Sequence, residues 1–141
     1  MRFLLLLPLL AGCAAAIQVG PASPDPTPTI IGEGDDPAST VIVYRRSEAG
    51  FVGNIAATPA VAINGRSVGT CRFDRPLVLR VPEGTHTVTV LSQTGQVDQQ
   101  VAVGEGETRY LRCGTAATPA FSPDPSLVPV GADTATRELN R

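Results

Sequence analysis

His86 is the chain's one histidine, and with Cys71 and Cys113 it makes the smallest set of residues from which neutral-pH chemistry can be assembled. An imidazole exchanges protons near neutrality, and a thiol beside it becomes a nucleophile. The local pattern argues for another use. In "HTVTVL", His86, Val88 and Val90 alternate with Thr87, Thr89 and Leu91, so the ring shares the apolar face of a strand. A general base also needs an orienting partner and a nucleophile in reach. The expectation is therefore a core or turn-bracing histidine and no enzymatic activity, with a Cys-His pair as the alternative unless the thiols are oxidised. A zinc site takes four ligands, and Cys71, Cys113 and His86 supply three with no C-x-x-C spacing. "GEGDD" at 32–36 and "GEGET" at 104–108 offer carboxylates without the length or ligand spacing of a calcium loop, and they read as solvated turns. Asp74, between Arg72 and Arg75, reads as a surface ion pair. No carboxylate pair stands out as a glycosidase constellation. Neither a metal nor a cofactor is expected.

Arginine carries the remaining chemistry. The chain has eleven basic residues, all arginine, against thirteen acids, for a net charge of −2. No basic block is present to neutralise a phosphate backbone, so nucleic acid is not an expected partner. Arg45, Arg46, Arg72, Arg75, Arg80, Arg109 and Arg112 all fall on or beside expected strands. Converging on one sheet face, guanidinium groups grip carboxylates or phosphates bidentately. Arg45 and Arg46 are the candidate ligand-binding pair, and a solvated outer sheet face is the competing reading. The absence of Trp weakens a sugar-stacking platform.

The third cysteine gives an address. Met1 and Arg2 precede an apolar run from Phe3 to Leu10, then Ala11, Gly12 and Cys13, in the order of a signal peptide. The run falls short of the roughly 20 residues that span a bilayer. Leu10-Ala11-Gly12-Cys13 resembles the lipobox of bacterial lipoproteins. The resemblance implies cleavage before Cys13, diacylglycerol on its sulfur and a third acyl chain on its amine. Each buried CH2 adds about 0.8 kcal/mol, so two or three chains hold a protein on a membrane where one does not. Ala14 stands where Asp commonly signals inner-membrane retention, so the resemblance favours the outer membrane, with the domain facing the periplasm. Export makes the compartment oxidising, and the even pair left over, Cys71 and Cys113, then reads as a disulfide. Closing that loop of about 43 residues is worth about 4 kcal/mol in the chain-entropy model.

The elements that position these residues follow from turn chemistry and period-2 patterning. Residues 1–12 are the signal. Residues 13–37, with "VGPASPDPTPTIIGEGDDP", hold too little to bury and read as an acylated Cys followed by a flexible tether, in which Ile30 and Ile31 add a short edge pairing. Residues 38–113 carry "TVIVYRR", "AVAI" and "RSV" about Asn64-Gly65, "PLVLRV", "HTVTVL", "QVDQQVAV" and "TRYLRC". Asn64-Gly65 is a two-residue hairpin signal, because both residues tolerate positive φ. Residues 114–141 hold a loop, an edge strand at "SLVPV" whose Pro129 cannot donate to a central ladder, and a short helix at "TATRELNR" capped by Asp133 or Thr134. The expected fold is all-β: an antiparallel β-sandwich of seven to eight strands, with a disordered N-terminal tether and a short C-terminal helix.

"VIVYRR", "GFVGN", "VAINGRSVG" and "VPEGTHTVTV", in this order, resemble a family of small bacterial lipoprotein domains related in pattern to PEGA and carboxypeptidase-regulatory-like β-sandwiches. The likeness covers residues 39–113, and Arg46 replaces the proline usual after that family's Tyr-Arg. These motifs describe turns and core and imply a fold rather than a reaction. The expected function is that of a lipid-anchored envelope protein acting as a non-catalytic interaction or structural module, held to the membrane through Cys13 and meeting an envelope protein or polymer. The alternative is a binder of anionic envelope polymers such as peptidoglycan or lipopolysaccharide, through its strand arginines.

Overall fold

β-branched residues at every second position give each strand one face with no partner but another sheet, and two such sheets close on each other here. The computed structural model describes residues 28–32, 37–46, 58–115 and 124–140. The signal, Cys13 and most of the expected tether lie outside them. In chain order the described elements are β1 (Thr29–Ile30), β2 (Ser39–Tyr44), β3 (Ala60–Ile63), β4 (Arg66–Thr70), β5 (Leu77–Val81), β6 (Gly84–Leu91), β7 (Gln96–Val103), β8 (Thr108–Thr115), β9 (Pro125–Val130) and α1 (Ala132–Leu139). One sheet has the order β1-β5-β2-β8-β9 and the other β4-β3-β6-β7. This is the all-β sandwich that the strand pattern called for.

Inward side chains of the first sheet include Val41, Val43, Leu79, Val81, Leu111 and Leu127; those of the second include Val61, Ile63, Val88, Val90, Val101 and Val103. Val41, Val61, Ile63, Leu79, Val81, Val88 and Val90 are fully shielded from solvent. Each such side chain stabilises the fold by about 1.5–3 kcal/mol relative to exposure. His86 lies in the same inward row of β6 as Val88 and Val90, as expected.

The first sheet is mixed, and the second is antiparallel throughout. β1 pairs with β5, and β2 with β8, in parallel. β2 and β8 are separated by both β5 and the whole second sheet, so a long crossover returns the chain in the same direction. The parallel register sets Tyr44 beside Arg112. Two edge elements expected from the sequence are present. Ile31 follows β1 into the core at 6% exposure, so the sandwich takes in part of the expected tether. β9 pairs along β8 with Pro129 opposite Leu111 at the sheet edge, so the tail completes the first sheet. The helix starts at Ala132 with Gly131 as its N-cap and no side-chain cap bond, ahead of the expected Asp133 or Thr134; Asp133 instead sits in the first turn, where the helix dipole favours a carboxylate.

Turn chemistry appears where the sequence placed it. Asn64 and Gly65 have φ of 49° and 79° and join β3 to β4. The β3–β4 register shifts after Val61, leaving Val68 as the extra residue of a bulge, and Val68 packs on the core. Gly69, beside it, has φ of +147°, and a Cβ there would lie 2.9 Å from Leu77 Cδ2.

The Cys71–Cys113 disulfide closes from the end of β4 to β8, joining the two sheets with 6.1 Å between Cα atoms. Replacing both cysteines with alanine is expected to lower the unfolding free energy by about 4 kcal/mol in urea denaturation. Gly69→Ala is expected to cost about 1–3 kcal/mol in the same assay, since an L side chain is strained at that φ.

Candidate anion-binding site

Strand direction sorts the chemistry-bearing residues to opposite ends of the sandwich. β6 begins near His86 and ends at Leu91, which pairs with Ala60, itself paired with Thr70 just before Cys71. Five residues of strand span roughly 16 Å, so His86 and the sulfurs lie at different ends. The histidine is committed locally. Its Nε2 donates to the Pro82 carbonyl at 2.8 Å, and its Nδ1 accepts from the Asn64 side-chain amide at 2.9 Å. Asn64 Oδ1 accepts in turn from the Thr87 backbone N–H at 3.0 Å. A carbonyl only accepts, which assigns the ring proton to Nε2. His86 thus ties the β3–β4 turn to the β5–β6 turn, as a brace. No Cys-His pair exists, since both thiols are joined to each other.

The acidic turn at 104–108 is also internally satisfied. Glu107 Oε2 accepts from the Gly104 N–H at 2.8 Å, and its Oε1 lies 2.8 Å from Arg109 Nη2. Among the described residues no three His, Cys, Asp or Glu side chains gather as a metal site would require. The other acidic run, 33–36, lies outside the described residues.

Three of the seven arginines singled out from the sequence come together. Arg72 is held in a bidentate pair with exposed Asp74, at 2.9 and 2.7 Å, which raises the guanidinium's affinity for its proton and lowers the Asp74 pKa. Arg75 shares that loop; Arg80 lies on β5, and Arg109 lies near the start of β8, before Arg112. Arg45 and Arg46, leaving β2, and Arg112, beside Tyr44 on β8, border one concavity of about 200 Å³ that also touches Gly114, Ser126 and Val128. Arg112 and Gly114 pair directly with Val128 and Ser126 across the β8–β9 ladder, so the floor is sheet backbone with small residues. Arg45 is 7% exposed, whereas the side chains of Arg46 and Arg112 are 46% and 34% exposed.

α1 closes one flank. It places the Glu138 carboxylate against the outer face of the first sheet, where the Tyr44 hydroxyl donates to Oε2 at 2.7 Å and Arg112 Nη1 to Oε1 at 2.7 Å. Arg46 Nη1 stands 4.0 Å from the same Oε1. Tyr44 is 1% exposed, so its hydroxyl requires an acceptor. Burial, and then the hydrogen bond to Glu138, push its pKa well above the ordinary phenol value. The hydrogen bond from Tyr44, reinforced by Arg112 and Arg46, holds the Glu138 carboxyl below the usual glutamate value. Sequence reasoning named Arg45 and Arg46 but did not join Arg112 to them, and it missed Tyr44 and Glu138. The available signal was Tyr44 and Arg112 at outward positions of their strands, followed by a helix that carries Glu138.

Because the Glu138 pKa is depressed on folding, its contribution is present above the unfolded glutamate pKa and is lost as pH falls through the lower folded value. Glu138→Gln is accordingly expected to lower stability by about 1–3 kcal/mol at pH 7, a difference that shrinks in denaturation curves taken at progressively more acidic pH. His86→Ala, which leaves the Asn64 amide and the Pro82 carbonyl without their partner, is expected to cost a similar amount in urea unfolding. No family model, curated protein or solved structure matches this chain.

Proposed function

We propose that this chain is a lipid-anchored protein of the cell envelope whose β-sandwich is a non-catalytic interaction module, and that it meets its partner, an anionic envelope polymer, through the pocket of Arg45, Arg46 and Arg112. The observation that carries the reading is that three arginines, two leaving β2 and one on neighbouring β8, line one concavity with a backbone and small-residue floor. Planar, permanently charged forks in a partly sheltered recess recognise carboxylate and phosphate better than isolated surface charges do. Separate observations support the location. Leu10-Ala11-Gly12-Cys13 supplies an acylation signal, and the Cys71–Cys113 disulfide suits an oxidising compartment. Ala14 after the acylated residue favours the outer membrane, with the domain in the periplasm. The likeness to PEGA-type and carboxypeptidase-regulatory-like sandwiches points the same way, toward a module without a reaction of its own.

Arg46 is the side chain to change, because it is the most exposed of the three and lies 4.0 Å from Glu138 rather than in a close bond with it. The exported chain is expected to be retained on purified peptidoglycan in a salt-sensitive manner, with Arg46→Ala lowering retention about tenfold, in line with 1.5–3 kcal/mol for a hydrogen bond to a charged group. Equal retention of both chains would remove the pocket from the account. The anchor is tested apart from it: intact mass of the membrane-extracted protein should show an acylated residue 13 at the amino terminus, and Cys13→Ala should abolish it.

A further inference from the structure

We infer that Glu138 is a resident carboxylate on Arg112 beside the arginine pocket, carried there by the C-terminal helix, and that a carboxylate of the bound partner replaces it and releases α1 from the sheet. The inference rests on the proposed anion-binding role and deepens it by naming the ligand class and the regulation of the site.

Glu138 reports what the site accepts. Its two oxygens take one bond each from a phenol hydroxyl and a guanidinium, with a second guanidinium at 4.0 Å. Every group facing it is a donor, and a carboxylate is acceptor-only with two oxygens in a plane. The Tyr44 hydroxyl sets the terms of exchange. It is buried, so Glu138 leaves at low cost only if an incoming group accepts the same bond. A cationic or purely donating ligand fails that requirement. The concavity bordered by Arg45, Arg46 and Arg112 lies beside the pair and is wide enough, at about 200 Å³, to admit a small acid next to the same Arg112.

The helix that carries Glu138 is lightly held. It has eight residues, no side-chain N-cap bond, and one fully buried residue, Ala135, while Leu139 near its end is 39% exposed. A helix this short is not stable on its own in water, so its position depends on contacts with the sheet. Glu138 supplies polar contacts to two strands, β2 and β8. A ligand shifts such an equilibrium only by what it gains in one state over the other. Here the gain is the Tyr44 and Arg112 bonds, available to the ligand only when Glu138 has left.

Glutarate, which carries the glutamate side-chain carboxylate without the chain, is the probe; glutaramide is its neutral control and inorganic phosphate the competing anion. On the full-length exported chain with its disulfide intact, saturating glutarate is expected to speed amide hydrogen exchange of residues 132–139 about tenfold and leave β2 and β8 protected, with glutaramide inert and phosphate weaker. Glu138→Gln is expected to bind glutarate about tenfold more tightly than the parent by NMR titration. Glutarate binding with α1 exchange unchanged, or with equal affinity in both chains, overturns the displacement while leaving the pocket in place. Phosphate outcompeting glutarate overturns the assignment to carboxylates. Binding of glutarate by neither chain overturns the pocket reading and this inference together.

Discussion

The link between Cys71 and Cys113 is the constraint on which the rest of the molecule depends, because it crosslinks two sheets that meet largely through apolar side chains. β4 forms one edge of its sheet and is a five-residue strand with a bulge. The bond fixes the end of that strand to the second-last strand of the opposite sheet. Arg112 is the residue before Cys113, so the same bond limits how far a guanidinium of the pocket can drift. A structural crosslink and a binding recess thus share one end of the fold, while the opposite end is organised by neutral hydrogen bonds about His86 and by the Glu107 turn.

Electrostatics then acts on a frame already set. Val41 and Val43 of β2 face the core, and Tyr44, in its outer row, is buried where it meets Glu138 of α1. That position takes Tyr44 out of water, and an interior phenol needs an acceptor. Glu138 meets that need and at the same time offsets part of the charge of Arg46 and Arg112. The cluster is therefore cationic and partly neutralised by Glu138, which would suit the proposed engagement of an anionic partner.

How much of this was readable from the residues follows the range of the forces involved. Strand patterning, the Asn64-Gly65 turn and the inward row of His86, Val88 and Val90 are set by neighbours within a few positions, and they appear as the sequence indicates. So does the edge position of Pro129, which one missing N–H decides. The parallel pairing of β2 with β8 depends on a crossover of more than sixty residues and leaves no local mark. Without that pairing Arg112 has no reason to join Arg45 and Arg46, and Glu138 has no reason to meet Tyr44. The helix start at Gly131 was likewise decided by where β9 delivers the chain, against the side-chain capping preference of Asp133 or Thr134.

At the sandwich end joined by the disulfide, Arg46 and Arg112 form the site proposed to take an acidic group. The most direct measurement is the guanidinium Nε–H spectrum of the oxidised chain during titration with soluble peptidoglycan fragments. The proposed site requires that the Arg46 and Arg112 resonances move first and together, ahead of Arg72 and Arg109, and that reduction of the disulfide weakens the response. Shifts of equal size at all the exposed arginines, or none at Arg46 and Arg112, would contradict it.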